Sequence, residues 1–341
     1  MTTKILTKTL MRRVILSPIT ALHGLVLILR HALFDIGLIK SQHAAIPTLV
    51  IGNIHAGGTG KTPHASSLLS IFADRLGGPE NVALLSRGYG RRSKGFRWVN
   101  EKEDWRAFGD EPFLLKQLNP KHPIAVSENR IKGVEQIKKE RPNVKLVILD
   151  DGLQHRALIP HKSIVLLDSH RPINTEALIP GGSLRDLKSR IRKFDAVVYS
   201  RSSNNRKTSK SIFSSEMITR GLDVNTPKNS TKLRVLAISG IAEPERFMES
   251  LALKWEVVRR HSYPDHCEFK KEDVESWVAS VRTDGLDGIV TTAKDAVRMK
   301  QFSETLTGIQ VISIPIEVKW HNEIALNALV DEWVESTIFA K

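Results

Sequence analysis

Between Leu49 and Phe72 the chain reads LVIGNIHAGGTGKTPHASSLLSIF: a strand-like apolar run, a glycine-rich turn closed by Lys61 and Thr62, then a helical pattern. Few short segments limit a fold as strongly. Glycines at 57, 58 and 60 let the backbone curl so that consecutive amides point inward, and the dipole of the following helix favours the same negative charge. Strand, loop and helix in that order are the context that the phosphate-binding pattern G-x-x-x-x-G-K-[ST] requires. His55 stands where that pattern has its first glycine. Lys61 would reach the β- and γ-phosphates of a nucleotide, and the Thr62 hydroxyl would ligate Mg²⁺. A turn that serves only packing is the alternative, but it does not require a lysine and a hydroxyl together.

The rest of the chain alternates in a way that suits such a loop. IPTLVIGNI, NVALLSRG, HPIAVS, VKLVILDDG, SIVLLDS and FDAVVYS read as strands, and GKTPHASSLLSIFADRL and DEPFLLKQL as helices. Near-continuous apolar strands separated by helices predict a mostly parallel α/β sheet covered on both faces, like that of P-loop NTPases. Ser200–Ser211 (SRSSNNRKTSKS) is polar and low in complexity, and is expected to be an exposed loop or hinge. LRVLAISGI, WEVVRRHSY, GIVTTAKDA and IQVISIPIEV follow as a second series. The expected division is an N-terminal helix in residues 1–40, a larger core in 41–215 and a smaller C-terminal α/β domain in 216–341.

Acidic side chains complete the nucleotide reading. Asp150 and Asp151 end the strand VKLVILDDG, and adjacent carboxylates repel each other unless a cation lies near. A capping aspartate beside a turn aspartate would need no cation. With the loop, the pair points to a nucleoside triphosphate held with Mg²⁺, which leaves GTPase, ATPase and kinase open. Asp110 and Glu111 precede the helix of FGDEPFLL, where Asp110 could equally be a helix cap. Asp265 and His266 in HSYPDHCEF could take the proton of an attacking hydroxyl. Cys267, the single cysteine, excludes an internal disulfide; phosphoryl transfer needs no thiol.

The N-terminus and the net charge bear on partners. Lys4, Lys8, Arg12 and Arg13 precede SPITALHGLVLILRHALFDIGLIK, in which Ser17 and Pro18 suit a helix start. At helical spacing Leu22, Leu25, Val26, Leu29, Leu33 and Ile36 share one face, and His23, Arg30, His31 and Asp35 the other. The apolar run is shorter than the ~20 residues a bilayer demands, so a helix lying in the membrane interface is expected, with a core helix or a signal peptide as alternatives. A formal net charge of +14 among 341 residues attracts polyanions without choosing among nucleic acid, anionic lipid and phosphorylated substrates.

GNIHAGGTGKTP, LLSRGYGR, GDEPFLL, DDGLQHRAL, LIPGGSLRD, YPDHCEF and TTAKDAVRM occur in an order that resembles the tetraacyldisaccharide 4'-kinases of lipid A biosynthesis, over nearly the whole chain. The resemblance implies transfer of the γ-phosphate of ATP to the 4'-hydroxyl of a lipid A disaccharide precursor, at the cytoplasmic face of a Gram-negative inner membrane. It implies that His55, Ala56, Gly57, Gly58, Thr59, Gly60, Lys61 and Thr62 form the phosphate loop, with Lys61 also in the chemistry. Asp150 and Asp151 would form a metal-side wall with Gln154 and His155 nearby, and Glu111 and Arg130 would stand around the metal and phosphates. Asp110 would be the general base, paired with His266. Two positions depart from the family pattern: Asp186, where glutamate is general, and Ala293, where glutamate is usual and Lys294 and Asp295 are retained. The partners expected are ATP, Mg²⁺, an acylated disaccharide glycolipid and an anionic membrane surface, with no nucleic acid and a monomeric chain. A nucleic-acid-stimulated ATPase would interleave aromatics with its basic residues along a groove, and the densest basic stretch, SRGYGRRSKGFR, holds only Tyr89 and Phe96. A partitioning or targeting NTPase with a membrane helix is the other rival. Acceptor-dependent turnover separates a kinase from both.

Overall fold

The computed structural model describes residues 13–203, 211–219, 232–252 and 254–338. Lys4, Lys8 and Arg12, and most of the expected hinge Ser200–Ser211, lie outside the described residues. The larger sheet is built from strands with apolar side chains at successive positions. In β2 (Thr48–Asn53), β6 (Leu146–Asp150) and β8 (Lys162–Asp168), Leu49, Ile51, Leu146, Ile148, Ile164 and Leu166 point to one core. Val50, Val147, Leu149, Val165 and Leu167 point to a second core on the opposite face. A strand buried on both faces has no polar alternation, which is why these segments read as continuous apolar runs.

Nine strands are ordered β15-β10-β9-β8-β2-β6-β3-β5-β4, where β3 is Val82–Ser86, β4 Arg97–Trp98, β5 Ile124–Val126, β9 Ala196–Ser200, β10 Ile212–Thr219 and β15 Ile316–Trp320. The strands from β10 to β5 are parallel, and β15 and β4 close the two edges antiparallel. Helix α1 (Ser17–Asp35) lies on the outside of this body. α2 (Lys61–Leu76) lays Ala65, Leu68, Leu69, Phe72 and Leu76 into the first core, spaced three and four apart as one helical face requires. α3 (Asp110–Leu118) and α4 (Arg130–Glu140) follow β4 and β5. A two-stranded pair, β1 (Gln42–His43) with β7 (Leu158–Ile159), lies apart from the main sheet.

A second, four-stranded parallel sheet runs β12-β11-β13-β14, from β11 (Arg234–Ser239), β12 (Glu256–Ser262), β13 (Gly288–Thr292) and β14 (Val311–Ile314). α5 (Pro244–Leu251) covers one face through Phe247, Met248 and Leu251, and α6 (Lys271–Thr283) covers the other through Val274, Trp277 and Val281. α7 (Ala293–Met299) follows β13 directly. The chain does not end in this sheet. IQVISIPIEV, read as one strand, is broken at Pro315, which has no amide to donate and fixes its own φ. β14 stays in the small sheet, while β15 returns to the edge of the large one. α8 (Glu323–Trp333) then buries Leu326, Leu329, Val330 and Trp333 in the first core. Residues 216–341 therefore contribute to both sheets, and the small sheet is an excursion whose entry and exit, β10 and β15, pair with each other.

Candidate active site

Loop and helix N-terminus meet at the end of β2 that faces the small sheet. Gly60 has φ +82°, a left-handed backbone that favours glycine, and a Cβ there would lie 2.5 Å from the sulfur of Met217 on β10, so any other residue is strained and must displace that side chain. His64, buried one turn into α2, donates from Nδ1 to the Gly60 carbonyl (2.6 Å) and accepts from the Ser215 hydroxyl (2.7 Å). Burial pushes its pKa down to about 4, so it stays neutral and stitches the loop to β10. Asn53 donates to the Thr59 hydroxyl (2.7 Å) and the Gly57 carbonyl (3.2 Å). Arg201 donates to the Gly58 carbonyl (2.7 Å) and pairs with buried Asp168 and with Glu243 at the start of α5. The carbonyls are thus committed to the protein on the outer side of the turn.

Gly57, Gly58, Thr59, Gly60, Lys61 and Thr62 line a cleft of about 1260 Å³ between the two sheets, together with Glu111, Arg130, Asp150, Asp151, Gln154 and His155. That volume exceeds the several hundred Å³ typical of a single small-molecule site, so it has room for a nucleotide and an acceptor. His55 and Ala56 do not line it. His55 is fully buried, both ring nitrogens lack a partner, and its backbone bridges to Leu184; Ala56 donates to the Ser183 carbonyl at 2.6 Å. The departure from glycine at 55 thus faces away from the cleft.

Lys61 stands 3.7 Å from Asp151, which is also gripped by Arg185, itself bonded to the side chain and carbonyl of Asn53. Burial raises the pKa of Asp151, but the Arg185 bond with Lys61 and Arg130 outweighs it and holds the carboxyl below the usual range. Asp150 is the opposite case. Burial, then Glu111 and Asp151, push its pKa up to about 7, and its Oδ1 is buried with no hydrogen-bond partner. An orphaned oxygen among three carboxyl groups fits a bound cation. Among the described residues no group of three or more His, Cys, Asp or Glu is arranged to hold an ion alone. Mg²⁺ takes one or two carboxylates and completes its shell with phosphate oxygens and water, which Asp150 beside the phosphate loop suits. Arg130, brought down to about 10 by burial, donates to the Asp150 carbonyl from the helix behind.

Across the cleft, Glu111, Asp265, His266 and Lys294 form the wall, and Asp110, which begins α3, is buried just behind them. His266, 156 residues away, donates from Nδ1 to Asp110 Oδ2 at 3.0 Å. Lys294, second residue of α7, lies 3.2 Å from His266 Nε2, 3.1 Å from Asp265, 3.3 Å from Glu111 and 3.7 Å from Asp110. Burial raises the pKa of Asp110, but the bond from His266 and the charge of Lys294 bring it below its ordinary value. The same bond raises His266 against burial. An ionised carboxylate results, with one oxygen oriented by an imidazole, and Tyr89 tilts over that ring at 5.5 Å. A carboxylate so placed can accept a proton from a hydroxyl.

The two positions that depart from the family pattern are placed differently from each other. Asp186 is buried and accepts from His31 of α1 (2.8 Å) and from the Leu187 amide, outside the cleft. Ala293 lines the cleft without a polar atom, and Lys294 beside it makes the contacts described. Cys267 is partly exposed, with its thiol on the Glu268 carbonyl. Arg185, Arg201, Asn53 and His64 were not singled out from the sequence. Arg185 lay inside a recognised motif, whereas Arg201 and His64 carry no local signal, since their partners come from distant strands.

A family model described as Tetraacyldisaccharide-1-P 4'-kinase matches residues 12–335. The chain is 32% identical to a tetraacyldisaccharide 4'-kinase of Bacteroides thetaiotaomicron, over 89% of this chain and 88% of that one. It is 35% identical to one of Chlorobium luteolum, over 84% and 87% respectively. Its structure is similar to the "apo" form of LpxK from Aquifex aeolicus in complex with ATP, with a TM-score of 0.74, 28% identity, and coverage of 94% of this chain and 99% of that one.

Proposed function

The chain belongs to the tetraacyldisaccharide-1-P 4'-kinase family, and from that premise we propose how its own residues carry out the transfer. The enzyme moves the γ-phosphate of ATP to the 4'-hydroxyl of a tetraacyldisaccharide 1-phosphate, forming the bisphosphorylated lipid A precursor. Backbone amides of Gly57–Thr62 cradle the phosphates, and Lys61 neutralises charge on the terminal ones. Thr62, Asp150 and Glu111 would hold Mg²⁺, with Asp151 behind Lys61; when bound, the ion offsets charge on the phosphoryl oxygens. Asp110 takes the proton of the 4'-hydroxyl as its oxygen attacks the γ-phosphorus, and the bond to ADP breaks. His266 orients Asp110 and spreads the proton's charge. The observation that carries this reading is the 3.0 Å contact between buried Asp110 and His266, whose imidazole lines the same cleft as the phosphate loop. Because the two residues belong to different sheets, the pair exists only when the sheets are together, which limits transfer to water.

The acceptor is a lipid, and α1 suits its surface. Its polar face is bonded to the core along its length: His23 to the Ile179 carbonyl (2.9 Å), Arg30 to that of Gln154 (2.8 Å), and Asp35 to Arg156 (2.7 Å) and Lys193 (2.8 Å). Leu22, Leu25 and Leu29 are left 62%, 62% and 59% exposed on the other face. The helix is long and apolar enough to cross a membrane by composition, but a crossing helix could not keep those bonds. These bonds support a helix lying flat in the membrane interface with Arg30 at the cleft, and the family resemblance makes the cytoplasmic leaflet our proposal for which side. We take the working unit as a monomer, with a core carrying the phosphate loop and a smaller unit around residues 232–314 carrying His266. Purified protein with γ-labelled ATP, Mg²⁺ and the disaccharide lipid should yield labelled lipid. ATP consumption without a labelled lipid would refute the assignment.

A further inference from the structure

Outside the cleft, the small sheet contains a fully buried ion pair, Arg298 with Asp295, both on α7. A buried pair is weak evidence for stability, because desolvation offsets most of the attraction and apolar residues of similar volume pack as well. What apolar residues cannot do is tie three segments together through the rigid fork of a guanidinium. Arg298 donates from Nη1 to the Cys267 carbonyl (2.9 Å) and from Nη2 to the Gly240 carbonyl (2.8 Å) and to Asp295. Asp295 returns to the same glycine by accepting from its amide at 3.0 Å, and it accepts from the Thr292 hydroxyl at 2.6 Å. The approach is close: a Cβ on Gly240 would lie 3.0 Å from Asp295 Oδ1 and 3.3 Å from Arg298 Nη2.

The loop so tied is the one that carries His266. Within itself it has little to hold its shape, a turn bond from the Cys267 amide to the Pro264 carbonyl (3.1 Å) and one from the His266 amide to Asp265 (3.0 Å). His266 has φ +59°, a left-handed conformation that a side-chain-bearing residue keeps only when its surroundings impose it. The carbonyl that Arg298 grips belongs to the very next residue. On its other side, Asp295 directly follows Lys294, whose ammonium reaches Asp110 and His266.

We propose that Arg298, locked by Asp295, is a positioning residue for phosphoryl transfer: it fixes the backbone of the 264–267 loop so that His266 meets Asp110. The inference rests on the reading of Asp110 and His266 as the proton-accepting pair. Arg298 touches neither substrate, and its hydrogen bonds act on the pair through that loop.

The test is a double-mutant cycle on the full chain with ATP, Mg²⁺ and the disaccharide lipid. Asp295→Asn/Arg298→Met removes the tie and leaves no unpaired buried charge, and it is made alone and in a His266→Ala background. Alone it should lower kcat by roughly tenfold to a hundredfold, the loss that sub-ångström misplacement brings, with KM for ATP within about threefold of the parent. In the His266→Ala background the further loss should be under about threefold, because the residue being positioned is gone. Arg298→Lys, which keeps the charge but not the fork, should fall between in the parent background, and it gives the same comparison if the double substitution does not fold. Equal losses in both backgrounds, or no loss, would overturn the inference while leaving the pair intact. If His266→Ala itself transferred phosphate at the parent rate, the reading of the pair would fail instead.

Discussion

Asp150 offers the sharpest physical test of the metal wall, because its environment makes the nucleotide-free protein pay to keep it. Its carboxyl is pushed from 3.8 up to about 7 by burial, Glu111 and Asp151. A group whose pKa is raised on folding lends stability that is fully present below its unfolded pKa and is lost as pH climbs to the folded one. Asp150 should therefore weaken the fold progressively from about pH 4 to about pH 7, and by no more above that. At about 1.4 kcal/mol per tenfold change in proton affinity, the whole loss is about 4 kcal/mol, and about 2 kcal/mol of it falls between roughly pH 5.5 and pH 8. Asp150→Asn has no such slope. Urea unfolding of parent and variant without nucleotide should show the variant gaining on the parent by about 2 kcal/mol over that interval. Saturating Mg²⁺ and ATP should reverse the order, since the cation takes up the carboxylate and stabilises only the parent strongly. A difference that stays flat with pH, or a variant that gains as much from Mg²⁺ and ATP as the parent does, would refute the reasoning.

Asp110→Asn should lower turnover by about 10²–10⁴-fold while ATP affinity stays within a few-fold, read by label transfer and by equilibrium binding; equal losses in both would make Asp110 a structural cap. Gly60→Ala forces a left-handed backbone costing about 1–2 kcal/mol and sets a methyl against Met217, so ATP affinity should fall about tenfold in a binding titration. Replacing Leu22, Leu25 and Leu29 with serine removes three exposed side chains worth about 1.5–3 kcal/mol each when buried in lipid, and flotation with anionic vesicles should fall steeply.

How far the sequence revealed this arrangement varied with the range of the interactions. β2, β6 and β8 were legible because burial on both faces leaves a continuous apolar signature. β10 was not, since its Ser214 and Ser215 are buried polar residues, and one of them exists to meet His64. The phosphate loop was legible because its chemistry is local. The meeting of Asp110 with His266 was not written in either fragment; each read alone as a cap or a loop, and the pairing came from family resemblance. Asp186 shows the converse. It stands where glutamate is general in the family, and its shorter side chain is spent on His31, binding α1 to the core, while Arg185 next to it reaches Asp151. Where a partner lies far along the chain, as for Arg201 and Gly58, spacing carries no trace of it.

The central claim is that a carboxylate from one wall of the cleft stands over phosphates gripped at the other. A crystal structure with a non-hydrolysable ATP analogue, Mg²⁺ and the disaccharide lipid measures this most directly. The account predicts the Asp110 carboxylate about 2.6–3.2 Å from the 4'-hydroxyl, with that oxygen facing the γ-phosphorus and Lys61 on the terminal phosphates. A 4'-hydroxyl bound beyond the reach of Asp110, with another residue at that proton, would contradict it.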